Sequence, residues 1–420
     1  MPNPADSTTA VVLRRARLPF DLLSVPGCLE GQRCGDLLEC DLLLAQGRIL
    51  DRREDRSIAE SARVIELDGR IVLPRFVEPH VHLDKCHTIS RLDGVGGDLL
   101  HAIEAQARDQ SNWDAADINL RASRGLEELI ASGCRIARTH IDWPAIQSPL
   151  AWHVIGELAQ EHSASFTLQR AALIGLERFD DLGDARQLVR YVADGNGVLG
   201  VFVRGQPDLR RRLSVVFELA ERFSLALDFH TDEDVGMQPS GLQAIAEVAN
   251  EHGFEGPIVC GHACSLINVE GHQLERLIDA IVKAAIAVVA LPSTNLYLQA
   301  RGCGTPVQRG ITRVKELDSA GVTVAFGADN VADPFCPFGR FDPLESLALG
   351  ALVAHLDPPY GAWLKTITSA PEQALGVSQV PLERRGIADL LVMEATHSAE
   401  LLRSPARSEL RALVATFESS

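Results

Sequence analysis

The chain predicts an α/β fold: a (β/α)₈ barrel beside a small β-sandwich domain built from its N- and C-terminal segments. Three observations carry this. From about residue 76, short apolar, β-branched runs alternate with longer helical patterns, as repeated βα units and a parallel sheet require. Those runs number eight over roughly 260 residues, the count and size of a closed barrel. Both ends of the chain read as β-rich instead.

The N-terminal part of the sandwich is expected over 1–75. Asp41–Ile49 reads as strand–turn–strand, and Val64–Val72 as a second such unit turning at Asp68-Gly69. The barrel is expected over 76–375, with strands at Val77–His82, Arg135–Asp142, Ser165–Leu173, Val198–Arg204, Leu225–Glu233, Pro257–Cys264, Ala285–Pro292 and Val322–Asp329. Helical stretches such as Asn119–Ala131, Leu209–Phe223, Gly241–Glu251 and Leu274–Ala284 separate them. Residues 376–420 return to a β pattern at Gly386–Met393, and the two ends are expected to pair with each other. Gly195-Asn196-Gly197-Val198-Leu199-Gly200 fits the spacing of a dinucleotide-binding loop. It follows a helical pattern and leads into a strand, the reverse of what a pyrophosphate site needs, so Gly195 reads as a helix C-cap.

The composition is that of an ordinary soluble globular protein, 46% hydrophobic and 23% charged. Forty basic against 57 acidic residues give a formal net charge of −17, and no Lys/Arg-rich run occurs. That balance argues against nucleic acid or an anionic membrane as partner and for a small-molecule substrate. Nine cysteines, an odd number without a Cys-x-x-Cys, read as free thiols of a reducing compartment rather than a disulfide framework. The first 25 residues carry no apolar core of signal-peptide length, and the longest apolar run, Ala284–Pro292, is too short to span a bilayer. A cytoplasmic location is the expectation.

Active sites of such barrels lie at the C-terminal ends of the strands. His80 and His82 are two apart on the first strand, so both imidazoles point the same way and supply half of a transition-metal site. Strand two ends His140-Ile141-Asp142, strand three carries Gln169, strand five ends His230-Thr231-Asp232-Glu233, strand six carries His262, and strand eight ends Asp329-Asn330. His80, His82, His230 and Asp329 together offer three nitrogens and one carboxylate, a hydrolytic set that leaves room for water. Glu233, three residues past a ligand, suits a proton carrier. His262 is placed to polarise the attacking water or a developing oxyanion.

These residues resemble the amidohydrolase superfamily, and within it the bacterial cytosine deaminase group. The likeness runs from about Val64 to Met393. It rests on Phe76–Asp84, His230–Glu233, Phe326–Asp329, Leu298–Arg301 with Arg309–Glu316, and the closing Gly386–Val392. The resemblance implies metal ligation by His80, His82, His230 and Asp329, with Asp329 also accepting a proton. It implies Glu233 as general acid/base toward a ring nitrogen, His262 orienting the nucleophile, and Gln169 bonding the ring's amide edge. No lysine ends strand four, which implies one divalent ion, zinc or iron, rather than two. Members often assemble, so a homo-oligomer is expected. Asn330 and Lys85 depart from the cytosine deaminases and look more like N-isopropylammelide amidohydrolases.

The expected activity is hydrolytic deamination of cytosine or a related aminopyrimidine. An aminotriazine, N-alkylamino ring or cyclic amide is the first alternative, and a catalytically silent binding protein the remote one. Two readings stand for His140 and Asp142: pocket lining, or a buried hydrogen-bonded pair, the commoner use of such residues. Lys85 reads as an ion-pair residue, at the surface or just behind the ligands, with no further role assigned to it. Phe335, in the run Pro334–Phe338, reads as a lid over a flat ring or a cap on the barrel.

Overall fold

The computed structural model describes residues 10–25, 27–50, 62–302, 304–308 and 310–418. Arg309, part of one family-like motif, lies outside the described residues, as do the first nine residues of the chain. Strands in the N-terminal part are β1 (Val11–Pro19), β2 (Gln32–Cys34), β3 (Leu37–Ala45), β4 (Arg48–Leu50), β5 (Arg63–Glu66) and β6 (Ile71–Pro74). The next eight are β7 (Phe76–Val81), β8 (Cys134–Asp142), β9 (Thr167–Gly175), β10 (Val198–Val203), β11 (Leu227–Thr231), β12 (Ile258–His262), β13 (Ile286–Ala290) and β14 (Val324–Phe326). β15 (Leu390–Met393) and β16 (Arg407–Glu409) follow.

β7–β14 lie side by side in chain order as one parallel sheet. The sheet curls until its ends meet: Val81 bridges Asp329 in parallel, and the Asp329 N–H donates to the His80 carbonyl at 2.9 Å. The eight expected strands are all present. One face of each strand fills the barrel interior and the other packs under the surrounding helices, so strands such as β13 (Ile-Ala-Val-Val-Ala) are buried along their whole length. The covering helices bury one stripe. In the helix Leu209–Phe223 it is Leu213, Val216, Phe217 and Ala220, at three-to-four-residue spacing. The helix Leu182–Asp194 ends on Gly195, as expected, and a Cβ at Gly195 or Gly197 would stand 2.6 or 2.3 Å from the Trp152 ring. Those glycines make room for a tryptophan and not for a phosphate.

The two ends of the chain share a second sheet in the order β16-β15-β6-β1-β3-β2, with β4 on β3 and β5 on β1. Val72 opposite Val392 marks the pairing of the ends. The Val64–Val72 unit needs correction: β5 and β6 do not pair with each other. Both lie parallel to β1, at Val12↔Val64 and Arg17↔Ile71, because a bulge in β1 between Leu13 and Ala16 takes up the turn. The Leu67 and Gly69 N–H groups donate to the carbonyls of Arg14 and Arg15 at that bulge. Arg407 of β16 ties this sheet to the barrel, with Nη2 2.6 Å from Asp342 Oδ2. No helix among the described residues is long and apolar enough to cross a membrane.

Candidate metal centre and substrate cavity

At the C-terminal mouth of the barrel, β7 delivers His80 and, one residue past its end, His82. β11 delivers His230, and the residues after β14 deliver Asp329. All four are buried. His80 Nε2 lies 3.0 Å from His230 Nε2, which is 3.2 Å from His82 Nε2. Asp329 Oδ1 lies 3.2 Å from His82 Nε2 and 3.5 Å from His80 Nε2. Ligand atoms around an ion with bonds of about 2.0–2.1 Å in tetrahedral array stand roughly 3.3–3.4 Å apart, and these four separations bracket that spacing.

Their protonation fits as well. Burial, reinforced by neighbouring imidazoles, holds His80, His82 and His230 well below the usual histidine range, so each ring keeps a lone pair. Burial pushes Asp329 up, and neither of its oxygens has a well-formed hydrogen bond. A buried carboxylate left so is costly unless a cation faces it. The residues present therefore fit a divalent ion. The glycines beside them matter too: a Cβ at Gly261 would sit 2.9 Å from His80 Cε1, and one at Gly327 3.0 Å from Glu78 Oε1.

Glu233 and His262 complete the floor. His262 Nδ1 lies 3.8 Å from Glu233 Oε1, 4.0 Å from Asp329 Oδ2 and 3.0 Å from Asn295 Nδ2. Burial, with the Asp329 charge adding to it, pushes the Glu233 carboxyl up to about 8, so it carries a proton near neutrality. Asp232, His262 and Asp329 have φ of 50°, 68° and 62°. Each such left-handed residue costs on the order of 1–3 kcal/mol, and here the turns bring the strand-end side chains together.

A cavity of about 220 Å³ opens above this floor, lined by His82, His230, Glu233, His262, Asp329 and Asn330. Phe335 forms part of its wall, packed with Leu99 and Leu298, and Asp333 Oδ1 fixes the loop by accepting the Phe335 and Cys336 N–H groups. Gln169 is a correction. It sits early in β9, away from the mouth, where its Oε1 accepts from Arg138 at 2.7 and 3.0 Å and its Nε2 donates to the Leu375 carbonyl. Its amide is spent inside the barrel and does not reach the cavity.

The His140–Asp142 pair is likewise not formed. His140 packs under His80, ring centroids 3.9 Å apart, with Nε2 3.1 Å from Asp228 Oδ1. Asp142 lies at the rim, where Lys85 Nζ donates to its Oδ1 at 2.7 Å and Gln106 Nε2 donates to its Oδ2. Lys85, Gln106 and Asp142 all line the cavity. Sequence reasoning missed Gln106 and Asn295, because each sits on a helix beside the barrel mouth, where no strand-end rule points to it.

Residues 144–415 match the amidohydrolase family. A pterin deaminase of Rhizobium rhizogenes is 33% identical over 94% of this chain and 90% of its own. An N-isopropylammelide isopropyl amidohydrolase of a Pseudomonas species is 23% identical over 79% of this chain and 81% of its own. Among solved structures, 5-methylcytosine deaminase from Klebsiella pneumoniae with bound 5-fluorocytosine superposes with a TM-score of 0.75 at 24% identity, covering 94% of both chains.

Proposed function

The chain belongs to the amidohydrolase family, as a hydrolase acting on C–N bonds, and on that premise we propose that it deaminates a fused amino-oxo heterocycle of the pterin type. The observation that carries the deaminase reading is the convergence of His80, His82, His230 and Asp329, each with ligand atoms 3.0–3.5 Å from two of the others, at the floor of a cavity that also exposes Glu233. The pterin choice is supported by the 33% identical relative. The cavity, about 220 Å³, has apolar walls of Leu99, Ile103, Leu173, Phe202 and Phe335 that suit a flat ring. On this reading the substrate is a double ring that bears the same kind of amidine group as the cytosine-like ring expected from the sequence.

His80, His82, His230 and Asp329 would hold one divalent ion, zinc or iron. When bound, it supplies a water whose pKa is lowered toward neutrality. Glu233 donates its proton to the ring nitrogen next to the amine-bearing carbon as the water oxygen bonds to that carbon. Asp329 accepts a proton from the water. The C–N bond then breaks: the amino group takes the proton held by Asp329 and leaves as ammonia, the hydroxyl proton returns to Glu233, and a ring carbonyl beside a ring N–H remains. His262, held by Asn295, donates toward the oxygen while charge develops on it.

Ammonia release from pterin, isocytosine, cytosine, 5-methylcytosine and ammelide, with protein of measured metal content, tests this reading. Turnover should be fastest on pterin. A protein with one metal per chain that frees no ammonia from any of these rings would overturn it.

A further inference from the structure

One rim of the cavity is built to read hydrogen bonds, and the reaction leaves it unused. Lys85 is only 3% exposed, its Nζ bonded to Asp142 Oδ1 at 2.7 Å and 5.4 Å from the centre of the Phe335 ring. An ammonium has three donors, and Asp142 takes one. Gln106 is 6% exposed, and its Oε1 is buried with no partner. Its orientation is fixed by chemistry. Asp142 accepts only, since burial is outweighed by Lys85 and its carboxyl is held below the usual range. The Gln106 Nε2 must therefore face Asp142, and Oε1 must face away. An orphaned buried acceptor costs about 1–3 kcal/mol, which a ligand N–H would recover.

We propose that Lys85 and Gln106 together read the lactam edge of the substrate, Lys85 Nζ donating to the ring carbonyl and Gln106 Oε1 accepting from the adjacent ring N–H. Asp142 is the positioning residue that locks both. This rests on the deaminase reading above and deepens it: it specifies an oxo group beside an N–H in the ring, which pterin has. In 2,4-diaminopteridine an amine replaces that carbonyl and a bare nitrogen replaces that N–H, so both contacts face the wrong partner. The edge-reading role expected of Gln169 then falls to residues of another strand end and another helix.

The test compares binding of pterin and 2,4-diaminopteridine to the metal-loaded native protein, Lys85→Met and Gln106→Met, by calorimetry, with metal content and ammonia release measured alongside. The native protein should prefer pterin by roughly 10- to 100-fold. Each variant should lose about tenfold or more in pterin affinity and change less than threefold toward the diamino ring, with metal content unchanged. Lys85→Met leaves Asp142 without its cation and risks the fold; Gln106→Met carries no such burden and tests the pair independently. Equal weakening toward both rings, no change in either variant, or a native protein that binds neither ring overturns the proposal. Native binding with the pterin preference but no ammonia release would sink the deaminase reading and leave this one standing. Ammonia release without the preference would do the opposite.

Discussion

Glu233 and His230 sit three residues apart at the end of the same strand, yet their burdens differ. His230 offers a lone pair to the convergent set; the Glu233 carboxyl, pushed up to about 8 by burial, holds its proton near neutrality. Glu233→Gln should therefore keep its metal, counted by elemental analysis, while kcat falls by roughly 10²- to 10⁴-fold. His230→Ala should lose both metal and turnover. Full activity in Glu233→Gln would mean that another group moves the proton. Both residues were legible from the sequence, because a strand end fixes which side chains face the barrel mouth. Gln169 was not, because strand membership alone says nothing of height along the strand: it stands opposite Arg138, whose guanidinium takes its oxygen.

At the scale of elements, the barrel closes through its own chemistry. The β7–β14 junction is a bridge between Val81 and Asp329, so Asp329, a residue of the proposed metal site, also closes the seam. The His80 ring needs the space Gly261 of β12 leaves, and Gly261→Ala should lower metal affinity by about 10- to 100-fold, read by competition with a chelator, as for other supports of a ligand. Deeper in the barrel, Arg138 Nη1 lies 2.7 Å from Asp228 Oδ2 with both groups buried. Arg138→Met should destabilise the fold by about 3–5 kcal/mol in chemical denaturation, because it strands a buried carboxylate. The strands and their order were legible from apolar runs and helical spacing. The β5–β6 arrangement was not: a tight turn at Asp68-Gly69 fits a hairpin, and only the bulge in β1 shows that both strands add to one edge.

For the whole molecule, the terminal sheet and the barrel share their core. Leu391 of β15 is buried and lies against Gly133 at the start of β8, where a Cβ would come within 2.7 Å of it. Leu391→Ala should cost about 2–5 kcal/mol yet leave metal stoichiometry unchanged, since the centre lies at the opposite end of the strands. Metal binding couples the other way. Chelation should lower the melting temperature, and zinc or iron at about 100 times its dissociation constant should restore roughly 2.7 kcal/mol. No response to either metal would remove the ion from the account of this site.

The sequence by itself determined the eight-strand barrel, the pairing of the two ends, and the set His80, His82, His230, His262, Asp329 and Glu233. These follow from local rules: period-two and period-3.6 patterns, and the chemistry of residues that end strands. Only the tertiary structure decided what those residues face. It placed Gln169 inside the barrel, separated His140 from Asp142, and brought Gln106 from its helix to the rim beside Lys85. The reason is physical. Which strand a residue ends is written in its near neighbours, but height in the barrel and contact across the mouth depend on strand tilt and helix docking, to which residues throughout the chain contribute.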